Sequence, residues 1–366
     1  MIPKIHVRCL ILILVLLNSA LFSQDSSLRL NRAKSLFIFP QLNLSYGYCY
    51  QDESQWGWQR IGARNQIVLN MMKKSETRMK RGYTSFAEPK SFQLKFAIVD
   101  ESSDQDSNDL EFNFKLLDSW MKIDTKWDRT EIVIGHKSIP YGHNPTLDSS
   151  FSFLPSLSNL DLGFSRDKGI FFSMPVNNHY DFEISVSAGM GDTFDYYGGW
   201  LVTSRFGRAA FHQQEWGLFA LGGSIQKTCG SKNISSELNS FFRIGSEYLY
   251  KKKEFMKIVN QISIGSDLGN TEDSNDDVIV YQFLQNVEFF IADRWSMGYE
   301  LVHKIHASQE NSISTEVNTI IRFSISYAAC RYTKIRLNSY YGVGNSLDQD
   351  EFGVFLQITF GRSLTN

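Results

Sequence analysis

The 366-residue chain contains no run of eighteen consecutive apolar residues, so helical membrane spans are excluded. Cysteine is scarce, four in all, and one of them, Cys9, lies in an amino-terminal segment read below as removed. The three that remain, Cys49, Cys229 and Cys330, do not describe a disulfide framework. There is no CxxC and no His or Cys cluster at zinc-ligand spacing, so neither a metal nor a cofactor is expected. Charge of one sign is also lacking: 37 Lys and Arg stand against 39 Asp and Glu, which argues against general binding of nucleic acid.

At the amino terminus, Lys4 and Arg8 precede an apolar run from Leu10 to Leu17 and then small residues. That is the pattern of a secretory signal peptide over residues 1–23, too short to span a bilayer, with the mature chain expected over 24–366. Cys9 precedes the apolar core, so lipid modification there is not expected. Losing Lys4 and Arg8, with no carboxylate in the segment, takes the formal net charge from -2 to -4.

The remainder is 42% hydrophobic and 14% aromatic, yet polar residues interrupt it almost everywhere, so the apolar residues alternate. In EFGVFLQITFG, Phe352, Val354, Leu356, Ile358 and Phe360 share one face; in VNTIIRFSISY, Ile321, Phe323 and Ile325 oppose Arg322, Ser324 and Ser326. Period-two matching gives about sixteen strands, many of ten residues or more, a length that suits a tilted strand crossing a membrane. The connections alternate long and short, as in a barrel with short turns on one side of the membrane and long loops on the other. An exception is MKKSETRMKRGYTSFAEPK, long on the short side, which is a misjudged boundary or a structured turn. The expected fold is all-β: a transmembrane antiparallel barrel of a bacterial outer membrane, with a long loop between strands five and six folding inward.

The run LLDSWMKIDTKWDRTEIVIGHKSIPYG, followed by FLPSLSNLDLGFSRDKGIFFSMPV, resembles the phosphate-selective porin O and P family over about residues 110–210. The positions that carry the resemblance are Asp118, Gly135, Lys137, Pro140, Tyr141, Gly142, Arg166, Asp167 and Gly169, with a weaker echo around Arg205. The resemblance implies a sixteen-stranded barrel, commonly trimeric, passing small anions by diffusion. It does not extend to phosphate as the solute, because no lysine-rich cluster or arginine ladder matches residue by residue.

The alternation places Arg60, Arg64, Lys95, Lys137, Arg205, Arg243, Lys257, Arg322, Lys334 and Arg336 on the inner face, against Glu183, Glu247, Glu288 and Glu300. A cation at the lipid midplane costs about 2–4 kcal/mol, so the inward placement is forced. The candidate pore residues are Lys137, Arg166, Arg205, Arg243, Arg322, Lys334 and Arg336, and the positive excess suggests an anion-leaning pore. The competing reading is that they are solvated wall charges pairing across strands. Pro140, Tyr141, Phe151 and Phe153 are expected to pack the constriction loop.

DESSDQDSND and NTEDSNDD lack the spacing of a calcium loop and read as solvated loops. His136 alternates to the lipid face; His143, Asp148 and Ser149 offer hydrolase residue types without a motif, so no enzyme is expected. Trp120, Trp127, Trp200, Trp216 and Trp295 read as interfacial anchors. The expectation is a porin-like diffusion channel whose partners are outer-membrane lipid, small solutes or anions and, through the resemblance, further copies in a homotrimer. The alternatives are a barrel enzyme with its site at the rim, and a non-conducting barrel serving as adhesin or assembly scaffold.

Overall fold

The computed structural model describes residues 36–51, 53–57, 66–74, 88–100, 112–124, 130–142, 161–162, 164–177, 179–191, 198–208, 214–226, 238–252, 255–268, 278–308, 314–330, 333–344 and 351–361. These form β1 (Leu36–Gln51), β2 (Glu53–Gly57), β3 (Gln66–Lys74), β4 (Glu88–Asp100), β5 (Phe112–Asp124), β6 (Glu131–Ser138), β7 (Arg166–Pro175), β8 (Tyr180–Ser187) and β9 (Trp200–Arg208). They continue with β10 (Gln214–Gln226), β11 (Leu238–Lys252), β12 (Met256–Leu268), β13 (Val278–Ala292), β14 (Trp295–Ser308), β15 (Ser314–Cys330), β16 (Thr333–Gly344) and β17 (Glu351–Gly361).

From β3 onward each strand pairs antiparallel with the next, and β17 returns to β1 in a ladder from Gln41↔Gly361 to Tyr50↔Phe352. That last ladder leaves no free edge, so the sheet is a closed barrel. β2 pairs with the end of β1 (Gly47↔Gly57) and β3 with its beginning (Leu36↔Lys73), so the two lie end to end along one neighbour. The seventeen segments therefore make sixteen staves, as the alternation indicated. Period-two alternation over residues 58–70 reads as the second strand of the sequence, and β3 begins within it at Gln66; residues 58–65 lie outside the described residues.

The alternation sorts the faces. On β17 Phe352 and Leu356 are exposed while Phe355, Gln357 and Thr359 are buried; on β15 Phe323 and Ile325 are exposed while Arg322 and Ser326 are buried. An outer face of exposed Leu, Ile, Val and Phe around a polar inner face is the arrangement of a barrel solvated by lipid. Aromatic rings gather on that outer face near the short turns: Tyr180 with Phe206 and Trp216 at 5.8 and 5.7 Å, and Trp295 with Tyr327 at 4.8 Å. Trp200 opens β9 at the long-loop end and is also exposed, so these tryptophans stand where an interfacial belt would. Trp120 does not: it packs against the buried cluster inside the barrel. Trp127 lies outside the described residues.

Short connections close one end. Asp293 and Arg294 alone join β13 to β14. Between β7 and β8 the Asn177 side chain accepts from the backbone N–H groups of His179 (2.7 Å) and Tyr180 (3.0 Å), an Asx turn. At the other end the longest connection runs from Ile139 to Ser165, between β6 and β7 once the extra short strand is counted. On the short side β3 is described to Lys74 and β4 from Glu88; the segment between them lies outside the described residues.

Candidate functional site

Both ends of the 139–165 connection turn into the lumen. Tyr141 N–H donates to the Ile139 carbonyl at 2.8 Å, a γ-turn centred on Pro140, whose fixed φ suits that position. Gly142 follows at φ 72°, a conformation in which a side chain would be strained and would also meet Gln261 at 3.2 Å. Ile139 N–H is tied to the Ser165 carbonyl at 3.1 Å, so the outgoing and returning chains are held together. This is what Pro140-Tyr141-Gly142 does: it turns the chain off the end of β6 and aims Tyr141 across the barrel.

Tyr141 reaches the opposite wall. Its ring meets Phe219 of β10 edge-on at 5.1 Å, and its hydroxyl lies 3.3 Å from Ser263 of β12. The hydroxyl donates to Asp161 Oδ2 at 2.7 Å, joining the two ends of the connection. Burial, and the Asp161 carboxylate next, push the Tyr141 phenol well above its ordinary value, so it remains a donor.

Asp161 is in turn clamped by Arg243 of β11, with Nε to Oδ2 at 3.0 Å and Nη2 to Oδ1 at 3.1 Å, and by Gln282 Nε2 of β13 at 3.2 Å. Arg243 uses every donor it has: Nη1 goes to the carbonyls of Phe242 (3.0 Å) and Ser266 (2.8 Å), and Nη2 also meets Asp267. Both side chains of the Arg243–Asp161 pair are 1% exposed.

Apolar packing completes the dock. Ile139, Tyr141, Leu162 and Phe164 of the connection pack with Phe219, Leu221 and Ile225 of β10, Phe241 of β11, Leu284 of β13 and Val302 of β14. Those inward apolar positions are the surface that a loop rich in Phe and Leu requires. Strand β6 hydrogen-bonds only to β5 and β7. Contacts from its end to β10–β13 therefore cross the lumen. The described ends of the connection, 139–142 and 161–165 apart from residue 163, are folded inward.

The remaining motif positions hold the wall beneath the loop. Arg166 Nε donates to Asp118 at 3.1 Å, both buried. The Asp167 carboxylate accepts from the backbone N–H groups of Gly189 (2.6 Å), Met190 (3.2 Å) and Gly191 (3.2 Å), capping the turn after β8, where both glycines have positive φ. Gly135 faces Gly169 in register, and a Cβ at Gly169 would strike the backbone of Val186 and Ser187. Lys137 alone among these charges has no ion pair among the described residues; its ammonium stands 5.5 Å from the Phe171 ring centre. With Val133, Pro140, Phe171 and Glu183 it lines a cavity of about 100 Å³.

Most other candidate cations are engaged by carboxylates. Arg205 donates to Glu247 (2.6 Å) and Asp181 (3.2 Å). Lys334 stands 3.5 Å from Glu288. Arg322 is the register partner of Glu300 and lies over the Tyr340 ring at 5.9 Å, and Arg336 Nε donates to Ser326 at 2.8 Å. His136, expected on the lipid face, is buried at 3% exposure although both ladders include it in unbroken register. Phe151, Phe153, His143, Asp148 and Ser149 lie outside the described residues, as do Arg60, Arg64 and most of both acidic segments. The described residues contain no group of three or more potential metal ligands.

The residues the sequence concealed are Asp161, Gln282 and Ser263, whose polar side chains find their partners only when the loop crosses the lumen. The inward apolar floor was visible in one place. Leu218, Phe219, Ala220 and Leu221 of β10 are apolar on both faces, the mark of a strand covered on both sides.

No protein-family model and no curated protein matches the chain. Solved structures do. An anion-selective porin from Comamonas acidovorans is 11% identical over 89% of this chain and 99% of its own, with a TM-score of 0.63. OprB of Pseudomonas putida is 10% identical over 90% and 94%, with a TM-score of 0.61. OmpT, an outer membrane protein of Vibrio cholerae solved in a trimer form, is 10% identical over 89% and 99%, with a TM-score of 0.60. The fold is thus that of outer-membrane porin barrels. The expectation of no enzymatic activity is corrected here: at 10–11% identity to OmpT and the others the likeness is one of fold alone, and this fold does not decide whether a chain is an enzyme.

Proposed function

We propose that the chain is a porin-like channel of the bacterial outer membrane, through which small hydrophilic solutes diffuse passively. The observation that carries this is the Tyr141–Asp161–Arg243 clamp, which holds an inward loop across a sixteen-stave lumen. A barrel of sixteen strands encloses an aqueous channel, and a loop fixed across it sets the cross-section that solutes must pass. The apolar outer face makes membrane lipid the surrounding solvent, and residues 1–23 are the proposed export signal. A homotrimer is the proposed assembly, by analogy with the trimer form of OmpT.

Ion selectivity is proposed to be weak and anion-leaning at the loop. At that level Arg166 and Arg243 are engaged by carboxylates, while Lys137 has no ion pair among the described residues. The resemblance to the phosphate-selective porin O and P family supports a porin barrel, but its motif positions serve chiefly to fold the loop and its seat. They give no support to phosphate as the solute.

Refolded residues 24–366 should conduct in a planar bilayer, and removing residues 144–154 should raise the single-channel conductance while the barrel stays heat-modifiable. A folded barrel without conductance would overturn the channel; unchanged conductance after the deletion would take the loop out of the path.

A further inference from the structure

The short-turn half of the inner wall is divided by charge. On β6–β11 it carries Glu131, Asp181, Glu183, Glu215 and Glu247, against Arg205 and Lys251, the register partner of Lys257. On β12–β16 it carries Lys257, Arg322, Lys334 and Arg336, against Glu288 and Glu300. Among the described residues five carboxylates face two cations on the first arc and four cations face two carboxylates on the second, so the arcs are of opposite sign. They adjoin at the β11–β12 ladder.

Internal pairing leaves specific groups open on each arc. Glu183 is the register partner of Arg205, yet Arg205 spends its hydrogen bonds on Glu247 and Asp181. Glu183 forms no ion pair among the described residues. Glu247 is 5% exposed; its Oε1 takes the Arg205 bond, and its Oε2 has no hydrogen-bond partner. On the other arc Lys257 faces Glu288 in register, but Glu288 is taken by Lys334 at 3.5 Å and by Ser296 at 2.9 Å. Lys257, too, has no ion pair among the described residues. Glu288 and Lys334 meet although β14 and β15 lie between them, about 14 Å of sheet at three strand spacings. Ser296, Gly298 and Ser326 make that intervening floor low enough for both side chains to extend over it.

We propose that this half of the channel favours zwitterionic solutes: the ammonium of an amino acid or short peptide runs along the carboxylates of β6–β11 while its carboxylate runs along the cations of β12–β16. A singly charged solute is drawn to one arc and repelled by the other. A dipolar one can satisfy both in a single orientation, and low-dielectric walls strengthen the field in between. This inference rests on the channel reading above.

Four small solutes of similar size test it in proteoliposome swelling at low salt: zwitterionic glycylglycine, anionic N-acetylglycine, cationic glycylglycinamide and neutral N-acetylglycinamide. Wild-type protein should admit the zwitterion at least about threefold faster than either ion, an effect that fades as salt is added. Glu183→Gln should slow the cation and the zwitterion and speed the anion; Lys257→Gln should slow the anion and the zwitterion and speed the cation. Because neither side chain holds an ion pair among the described residues, both variants should fold. Entry ordered by size alone, or rates unchanged in both variants, would overturn the inference and leave the channel standing. Failure of even the neutral solute to enter would overturn both.

Discussion

The two ends of the lumen use the same side chains for different ends. Near the long loops the charges are spent on structure. Arg243 places all five donors on Asp161, Asp267 and two carbonyls, and Asp167 accepts three backbone N–H groups. Near the short turns the charges are crowded but incompletely matched, and Glu183 and Lys257 are left without ion pairs among the described residues. A charge 1% exposed must be paired to be tolerated, whereas one that borders an aqueous lumen is hydrated and free to act on solutes. Pairing, not residue type, separates the clamp from Glu183 and Lys257.

That contrast breaks first at Arg243. Arg243→Ala leaves the Asp161 carboxylate buried without its guanidinium and should cost about 3–5 kcal/mol, read as a lower urea midpoint for the folded barrel, together with raised and noisier single-channel conductance. Lys257→Gln, at the other end, should stay within about 0.5 kcal/mol of wild type. Equal destabilisation by the two would erase the distinction.

A smaller effect sharpens it. Asp167→Ala deprives Gly189, Met190 and Gly191 of the acceptor that holds their turn, so about 1–3 kcal/mol should be lost. Amide exchange should quicken at residues 189–191 while ion selectivity stays unchanged. A shifted reversal potential would mean that Asp167 acts on ions after all, which its complete burial argues against.

Strand number and facing were legible because each is a local property of alternation: Phe352, Leu356 and Phe323 face outward, and Gln357, Thr359 and Arg322 inward, as the period of two requires. The inward loop was legible from its apolar content and its flanking strands. Its anchors were not, since Asp161 and Arg243 are 82 residues apart and nothing local in either marks the other. The SRDKG stretch misled in an instructive way. A basic residue at the return of a constriction loop reads as pore chemistry, but Arg166 is fastened to Asp118, Asp167 to the turn after β8, and Gly169 to a close strand crossing. Alternation did not show that His136 would be buried.

Lys137 and Arg166 carry the smallest effect and the most direct comparison, since both are candidate pore cations and they flank the same loop. In the fold their situations differ. Lys137 is half-buried over the Phe171 ring with no ion pair among the described residues, while Arg166 donates to buried Asp118. Lys137→Gln should therefore move the reversal potential in a salt gradient toward cations by a few millivolts without altering stability. The shift should grow as ionic strength falls, because the Debye length lengthens from about 10 Å at 0.1 M to about 30 Å at 0.01 M. Arg166→Gln should do the opposite, lowering the unfolding midpoint by stranding Asp118 while moving the reversal potential little, since both members of that pair are buried. If Arg166→Gln shifts selectivity and Lys137→Gln does not, the ion path runs past the Arg166–Asp118 pair, and the neck lies on the other side of β6.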